Sequence, residues 1–370
     1  MLLLAPDEVA RLSVDRDAVL GSGSFGLVYS ATDANCARLA VKAVDERGLS
    51  EKAKQQLHRE VELHLSVVHV HVLQCFGAFY SDCCHTLHIL LDRAAGDLGT
   101  AINDAATLVQ VLAPTFLRQL LSALDHLHNE QQIVHGDIKP SNVLLSPEGC
   151  VKLCDLGAAA RIAGARRGRT TLVGSPAYLA PEVIVIDHLG LEPGGATYSF
   201  PSDIWSVGVL MVEMLSGGHL PFPAIARDPT HQAAAVCFRP PTLEPASAFS
   251  ASARSLVMRL LAKQAYLRPT AEEALGLCAQ LVAAAHLNDA SSGEKCDAPC
   301  AATSVEQEAL RECLLCLDRN RSASNCSPCQ RASADFEALH LVTSPEPSVS
   351  SESPSSAVSW VSSLVDNSPS

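Results

Sequence analysis

The sequence predicts an α+β, bilobal protein in which a small antiparallel sheet with one main helix precedes a larger, mainly helical lobe. One observation is a set of short apolar strand patterns, interrupted by turns, that begins near residue 14. Another is that these patterns end before Leu98, after which apolar residues recur at helical spacing. The strand patterns lie within 14–68, at 73–79 and at 86–91.

One amphipathic helix, roughly residues 51–67, is predicted among the strands because Leu57, Val61 and Leu65 recur every four residues. This spacing places the three side chains on one face, which would pack against the sheet. In the second lobe a leucine stripe predicts a core helix that contains Leu117, Leu120, Leu121, Leu124 and Leu127.

Composition narrows the class of protein. The chain has 370 residues, 48% of them hydrophobic, enough for one large domain and a tail. A formal net charge of −13 argues against nucleic-acid binding, which needs clustered positive charge. The apolar start, residues 1–5, is too short for a signal peptide, and the apolar helices expected at 204–215 and 275–287 are shorter than a membrane span. We therefore expect a soluble intracellular protein, cytoplasmic or nuclear, with its 14 cysteines reduced.

The stretch from His135 to Asn142 places a base, a cation and a metal ligand in one short loop. Asp137 can accept the proton of an attacking hydroxyl, and Lys139 can neutralise charge on a moving phosphoryl group. Asn142 is placed to hold a magnesium ion, and Asp155, after the next strand pattern, supplies a second metal ligand.

A glycine-rich run near the N-terminus has the spacing G-x-G-x-x-G-x-V. Such glycines bring backbone N–H groups close to phosphate oxygens. Alone, the run fits a dinucleotide-binding fingerprint or a flexible loop equally well. A strand that carries Lys42 follows it, where a dinucleotide fold would open a helix, so a nucleoside-triphosphate loop is favoured. The run comprises Gly21, Ser22, Gly23, Ser24, Phe25, Gly26, Leu27 and Val28.

In this order and spacing, the motifs resemble the catalytic core of a eukaryotic protein kinase over about residues 15–287. A lysine two residues after the catalytic aspartate, here Lys139 after Asp137, resembles the pattern of the serine/threonine kinases. The resemblance implies that Glu60 pairs with Lys42, whereas Glu62 faces another direction. It is extended by Ala180-Pro181-Glu182, by the helix that begins near Asp203, and by Arg268 as the partner of Glu182.

The resemblance also implies ATP and Mg²⁺ as cofactors and residues 14–288 as the kinase domain, after an N-terminal extension, 1–13. Leu90 is the expected gatekeeper, but the alignment also allows the position one residue before or after it. Asp97 is expected near the ribose, although capping of a helix explains it equally well. The implied ATP contacts are Gly21, Ser22, Gly23, Ser24, Phe25, Gly26, Val28, Ala40, Lys42, Glu60, Leu90, Leu91, Arg93, Asp97 and Leu144.

Within the superfamily, residues 50–62 and 166–175 resemble the Aurora group, and more distantly the calcium/calmodulin-type and polo-like kinases. Thr170 and Thr171 are the implied phosphorylation sites of the activation loop; a solvated loop is the alternative interpretation of that run. Gly136 replaces the arginine that clamps such a phosphate, so phosphorylation is expected to activate only weakly.

The C-terminal part contains two C-x-x-C pairs in a linker, residues 289–342, before a Ser/Pro-rich tail, 343–370, that is expected to be disordered. Four thiolates at this spacing can bind Zn²⁺ tetrahedrally within 313–329. A truncated RING-like half is the alternative interpretation of this segment, and Cys296 and Cys300 are interpreted as incidental. The candidate ligands are Cys313, Cys316, Cys326 and Cys329.

The leading interpretation is a kinase that phosphorylates Ser or Thr of protein substrates, with regulatory proteins docking on the small lobe or the tail. Two alternatives stay open. One is a pseudokinase scaffold. Gly136 and two polar residues of the apolar spine expected inside a kinase, His64 and Cys75, keep this alternative open. The other is a zinc-dependent adaptor that acts through the tail.

Overall fold

The computed structural model describes residues 3–23, 26–80, 85–162, 175–188, 199–223, 229–288 and 304–324. The N-terminal lobe contains two helices and five strands that form one sheet. In chain order they are α1 (Pro6–Val9), β1 (Ser13–Gly23), β2 (Gly26–Thr32), β3 (Arg38–Asp45), α2 (Glu51–Leu65), β4 (Cys75–Tyr80) and β5 (Thr86–Asp92).

The sheet is antiparallel throughout, with strand order β1-β2-β3-β5-β4, as predicted for a small antiparallel lobe. Because side chains alternate across a strand, β3 and β5 have two distinct faces. The inner face, with Ala40, Ile89 and Leu91, packs with Leu57 and Val61 of α2 in one buried cluster. Leu144 and Cys154, from the chain after the sheet, pack on the same cluster.

The outer face of the sheet is covered by the N-terminal extension. Val41 and Leu90 pair across β3 and β5 and are buried in a separate cluster with Ala31. Leu4 and Leu12 pack on this cluster, and the Leu4 N–H donates to the Ala78 carbonyl at 2.8 Å. The extension is therefore part of the folded lobe.

Ser50 is the N-cap of helix α2, and its side chain accepts a hydrogen bond from the Ala53 N–H. It ends at Leu65, two residues before the predicted end. Leu57, Val61 and His64 are its buried residues. The helical spacing thus predicted this element and most of its buried face correctly.

The C-terminal lobe is mainly helical, as predicted, with short strands near the cleft. A residue with non-helical φ and ψ, Ala105, interrupts its longest helix. Its elements are β6 (Gly96–Asp97), α3 (Leu98–Asp125), β7 (Ile133–Val134), β8 (Val143–Leu145), β9 (Val151–Leu153), β10 (Ala160–Arg161), α4 (Pro181–His188), α5 (Phe200–Ser216), α6 (Pro229–Phe238), α7 (Ala251–Leu260), α8 (Ala271–Asn288) and α9 (Ser304–Ser324).

The core of this lobe is built around α3 and α5. The predicted leucine stripe of α3 is completely or almost completely buried, and Leu127 continues it in the π-helical turn His126–Glu130. Helix α5 contributes the buried Trp205, whose ring stacks on Phe222 at 5.5 Å. By length and composition alone, the described stretch Leu98–Glu130 could cross a membrane, but 56% of its apolar window is buried, as in a core helix.

Helix α9 differs from the linker predicted after the kinase domain. Residues up to Arg319 form one compact unit, and a second unit begins at Asn320, of which the structure describes only the helical residues 320–324. Within the first unit, Ala309, Cys313 and Leu317 of α9 are buried in the core of the larger lobe. The insertion predicted around 189–196 and the tail from 343 lie outside the described residues.

A histidine pair at the junction of the lobes gives a pH-dependent contribution to stability. His69, in the loop after α2, stacks on His126 at 5.0 Å between ring centroids. Burial, and the nearby His126 and His71, lower the pKa of His69 from 6.5 to about 4. Between these two pKa values the unfolded chain binds a proton on His69 that the folded protein does not bind. The contribution of His69 to the free energy of unfolding is therefore fully present above pH 6.5 and decreases as the pH falls toward 4.

We therefore expect His69→Asn to weaken the pH dependence of the free energy of unfolding. The measurement is urea unfolding of parent and variant at about pH 7 and about pH 5, since a residue that does not titrate removes this linkage. The parent should lose more stability on acidification than the variant. Equal losses would contradict the assignment of this effect to His69.

Candidate active site

The catalytic loop is anchored to the C-lobe core by Asp203 of helix α5. This carboxylate is 1% exposed and accepts hydrogen bonds from the backbone N–H groups of His135 at 2.8 Å and Gly136 at 2.9 Å. It also contacts His128 Nε2 at 2.8 Å. The sequence had indicated the helix of Asp203 but not His128, whose only signal is its position at the end of the leucine stripe.

Asp137 lies at the centre of a compact polar cluster that contains the other predicted catalytic-loop residues. Its Oδ2 is 2.7 Å from Lys139 Nζ and accepts a hydrogen bond from Asn142 Nδ2 at 2.9 Å. Its Oδ1 accepts the Ser175 N–H at 3.2 Å. The base, the cation and the amide predicted from one short motif are therefore in direct contact.

Asn142 and Asp155 provide oxygen ligands of the kind that Mg²⁺ prefers. The Asn142 amide nitrogen is committed to Asp137, which makes its amide oxygen the ligand atom. Asp155 has a left-handed backbone, φ +63°, and its Oδ1 accepts the Gly157 N–H at 3.2 Å, which fixes the carboxylate at the start of a tight turn. The residues present thus fit the predicted metal.

Lys42 and Glu60 form the ion pair that the sequence predicted between sheet and helix. Lys42 Nζ on β3 is 3.7 Å from Glu60 Oε1 on α2, with both side chains largely buried. A Cβ on Gly157 would lie 3.0 Å from Glu60 Oε2, so the turn after Asp155 approaches this pair closely. Helix α2 therefore holds Lys42 toward the cleft.

Apolar side chains from both lobes converge where the resemblance implied an adenine. Ala40 is buried, and Val28 and Leu144 pack on the same cluster. Leu20, just before the glycine run, joins them, and its apolar character at that position is the signal that could have indicated it. The glycine run itself forms the ends of β1 and β2, and Ser24 and Phe25 lie outside the described residues.

Gly26 fits its position because the backbone of β3 passes close to it. A Cβ on this residue would overlap the Ala43 carbonyl group. Gly21, Ser22 and Gly23 lie on β1, where Gly21 pairs with Val28 and Ser22 with Leu27. The described ends of the run therefore pair as neighbouring antiparallel strands, β1 and β2.

The gatekeeper prediction for Leu90 is wrong, and Leu91 occupies the expected face. Ala40 pairs with Leu91 and Lys42 pairs with Ile89, so these side chains share the inner face of the sheet. Leu90 pairs with Val41 and is buried in the outer cluster instead. The alternation of side chains across β5 resolves the one-residue alignment.

Residues 93–97 connect β5 to α3, and we call this segment the hinge. Arg93 Nη1 donates to Ser30 Oγ at 2.7 Å, which ties the hinge to β2. Asp97 is the N-cap of α3: it accepts the Thr100 N–H at 2.9 Å and the Thr100 hydroxyl at 2.8 Å. The capping alternative for Asp97 is thus observed, and its contact with a ribose stays a prediction.

The polar spine residues His64 and Cys75 are buried, as are Leu156 and His135. His64 Nε2 lies 2.6 Å from the Leu73 carbonyl, and burial lowers the pKa of this histidine. A neutral ring that donates Nε2–H satisfies this carbonyl, so the polar residue is accommodated without a buried charge.

The segment after the activation loop is fixed to the C-lobe by Glu182 and Arg268. Their side chains form two hydrogen bonds of 2.7 Å each, and the Arg268 side chain is completely buried beside the Trp205 ring. This confirms the pair that the resemblance implied. Thr170 and Thr171 lie outside the described residues.

The described half of the predicted zinc site does not fit a zinc ion. Cys313 and Cys316 lie within helix α9, and Cys313 is completely buried. Burial raises the pKa of Cys313 to about 11, which favours the thiol over the thiolate that zinc requires. Across the described ranges no group of three or more His, Cys, Asp or Glu residues could hold a metal, and Cys326 and Cys329 lie outside them. The zinc prediction is therefore not supported.

Comparison with known proteins agrees with this geometry. The family described as Protein kinase domain matches residues 14–277, more than half of the chain. The chain therefore belongs to the protein kinase family.

The curated relatives include serine/threonine kinases and one inactive homologue. The chain is 39% identical to serine/threonine-protein kinase D2 of Homo sapiens over 207 residues, 54% of this chain and 22% of that protein. It is 32% identical to mitogen-activated protein kinase kinase kinase ANP1 of Arabidopsis thaliana over 285 residues, which are 73% of this chain and 40% of that protein. It is 33% identical to inactive serine/threonine-protein kinase PLK5 of Mus musculus over 262 residues, which are 70% of this chain and 41% of that protein. The chain spans less than half of each of these relatives.

Proposed function

We propose that this chain is an active serine/threonine protein kinase that transfers the γ-phosphoryl group of MgATP to Ser or Thr hydroxyls of protein substrates. The observation that carries the proposal is the Asp137 cluster, in which base, cation and metal ligand contact one another. The serine/threonine-kinase relatives support it. The pseudokinase alternative is not favoured, because Lys42, Glu60, Asp137, Asn142 and Asp155 are all retained.

In this mechanism the protein positions the reactants and neutralises charge. Asp137 orients the substrate hydroxyl and accepts its proton, and Lys139 beside it stabilises charge that develops on the phosphoryl group. Lys42, held by Glu60, contacts the phosphates of the nucleotide. When bound by Asn142 and Asp155, Mg²⁺ neutralises further phosphate charge.

The direct test is transfer to peptides of known acceptor type. Purified full-length protein with Mg²⁺ and γ-labelled ATP should label peptides that contain Ser or Thr, and mass spectrometry should locate the phosphate on those hydroxyls. Peptides identical except for Tyr should stay unlabelled. ATP binding without transfer to any acceptor would favour the scaffold alternative, and labelling of Tyr would overturn the class.

Within the family, we propose an Aurora-like kinase, on the sequence of residues 50–62 and 166–175 and on the polar spine residue His64. We also propose an intracellular location, on the sequence alone, and docking of regulatory proteins on the small lobe or the tail. That its substrates are proteins follows from the family.

Activation-loop phosphorylation at Thr170 or Thr171 is proposed to contribute little to activity. Gly136 provides no cation, and its N–H is bonded to Asp203 with φ at +78°. Arg161 on β10 donates to the Gln131 carbonyl and to Ser66 Oγ, both at 2.8 Å. Arg59, an exposed residue of α2, is a candidate partner among the described residues for a phosphate on Thr171.

We expect Thr171→Ala to lower kcat by no more than about tenfold, because Gly136 offers no charge and Arg161 already donates to Gln131 and Ser66. The measurement is steady-state phosphorylation of a Ser/Thr peptide by parent, Thr170→Ala, Thr171→Ala and the double variant. A decrease of several orders of magnitude in Thr171→Ala alone would contradict this proposal and indicate a different phosphate-binding site.

A further inference from the structure

Helix α9 lies beyond residue 277, where the match to the kinase family ends, yet it has an apolar face that is packed on the domain. Ala309, Cys313 and Leu317 are 6%, 0% and 3% exposed. Their spacing of four places them on one side of the helix. Leu315, on another side, is 58% exposed. The helix is therefore amphipathic with respect to this one surface.

The surface that receives α9 runs from α3 to the hinge. At one end the Thr115 hydroxyl of α3 donates to Glu306 Oε1 at 2.7 Å. In the middle Leu310 lies directly on Gly149, in the turn between β8 and β9, where a Cβ would overlap its side chain. At the other end a Cβ on Gly96 of the hinge would lie 3.0 Å from Leu317.

These contacts fall on backbone that supports the nucleotide cleft. Gly96 pairs with Leu145 of β8, and the adjacent Ala95 N–H donates to the Leu145 carbonyl at 2.7 Å. The same strand β8 carries Leu144, which packs beneath the adenine position. Leu317 is thus connected to Leu144 through Gly96 and Leu145.

Charge at the end of α9 favours the same arrangement. Burial and the nearby Arg38 lower the pKa of Arg93, and Asp318 on α9 opposes this by favouring the charged guanidinium. Arg93 in turn donates to Ser30 of β2. The helix therefore contacts the hinge from the C-lobe side, and Arg93 connects that hinge to the N-lobe.

We propose that α9 is a hinge clamp: an intramolecular ligand of the surface formed by Thr115, Gly149 and Gly96 that holds the hinge in the conformation that binds ATP. In the docked state the Lys42–Glu60 pair is formed and the Asp137 cluster is complete. The described contacts of α9 fall on α3, on the turn at Gly149 and on Gly96 of the hinge, rather than on the Asp137 cluster. The clamp therefore supports the active arrangement.

The test compares two substitutions on the same helix in the full-length chain. Leu317→Asp places a charge against Gly96 and should release the helix, whereas Leu315→Asp introduces the same charge on the exposed side. Binding of a non-hydrolysable ATP analogue with Mg²⁺ is the readout, so the result does not depend on phosphoryl transfer. Leu317→Asp should weaken binding about tenfold, since only a fraction of molecules then has the competent hinge.

Hydrogen exchange provides a second readout that reports on the hinge itself. The amides of Ala95 and Gly149, which are hydrogen-bonded at 2.7 and 2.8 Å, should exchange faster in Leu317→Asp and at the parent rate in Leu315→Asp. Unchanged analogue binding and exchange in Leu317→Asp would overturn the proposal. Tighter binding or faster phosphorylation would identify α9 as an inhibitory element and would overturn it equally.

A milder pair of substitutions covers the case in which Leu317→Asp does not fold. Gly96→Ala adds a methyl group 3.0 Å from Leu317 and should weaken analogue binding, and Leu317→Ala in the same chain makes room for that methyl group. The double variant should therefore bind better than the sum of the single effects predicts. Strict additivity would show that Leu317 does not act on the hinge and would overturn the clamp.

Discussion

Asp137→Asn is expected to reduce phosphoryl transfer by about 10²–10⁴-fold, the usual contribution of a positioned general base. An amide cannot accept the hydroxyl proton. It has nearly the same size as the carboxylate, but its one oxygen can accept a hydrogen bond from either Asn142 or Ser175, not from both. ATP affinity should change by no more than about twofold, because the lost interaction is made in the transition state. The measurement is single-turnover transfer to a Ser/Thr peptide, with analogue binding measured in parallel.

The matched control for Asp137→Asn is Asp104→Asn, the same change at an exposed position of the C-lobe. It should leave both the transfer rate and the nucleotide affinity at the parent values. If Asp137→Asn retained most of the parent rate, Asp137 would have no part in proton transfer, and the catalytic role would have to be assigned to another residue.

Glu182→Gln is expected to lower the free energy of unfolding by about 3–5 kcal/mol, the cost of leaving a buried charge without its partner. The Arg268 side chain is completely buried, and both of its terminal nitrogens contact the Glu182 carboxylate at 2.7 Å. An amide can replace one acceptor but cannot neutralise the guanidinium. Urea unfolding followed by tryptophan fluorescence measures the loss, since Trp205 lies beside Arg268.

Glu308→Gln is the matched control, because its pairing with Arg311 at 3.9 Å joins two exposed side chains. That change should alter stability by less than about 0.5 kcal/mol, as exposed ion pairs contribute little. Replacing both Glu182 and Arg268 by Met should cost less than Glu182→Gln alone, because no buried charge is then left unpaired. The reverse order of these losses would show that the unpaired guanidinium is not the main cause of the destabilisation.

The sequence predicted that the catalytic-loop side chains meet, because their contacts depend on fixed spacing in one short loop. Asp137, Lys139 and Asn142 come together as their separation of two and five residues implied. Helix α2 was also predicted within two residues, because its one buried face leaves a clear period in the sequence. Local signals of this kind need no knowledge of the rest of the fold.

The gatekeeper could not be assigned from sequence because β5 is covered on both faces. Residues Leu87 to Leu91 are all buried, so the strand lacks the alternation of apolar and polar residues that reveals its orientation. Only the pairing of Leu90 with Val41, beneath the N-terminal extension, shows which side chains face outward. The information lies in the packing of distant segments.

The C-x-x-C pair at Cys313 and Cys316 shows a second limit of sequence patterns. Residues three apart are neighbours on a helix as well as in a zinc knuckle, so the spacing is compatible with both. Cysteine also behaves as a small hydrophobic residue, which is the role that Cys313 has in the core. Tertiary contacts with the kinase domain decide between the two.

The extension that covers the outer face of the sheet bears on where this domain can be cut. The family match starts at residue 14, but Leu4 and Leu12 shield Val41 and Leu90 from solvent. A protein shortened to the residues of the family match would expose these side chains as an apolar patch on the five-stranded sheet. Exposed apolar patches of this kind promote self-association. A protein that includes Leu4 and Leu12 is therefore expected to stay monodisperse, whereas one that starts at residue 14, where the family match begins, is not.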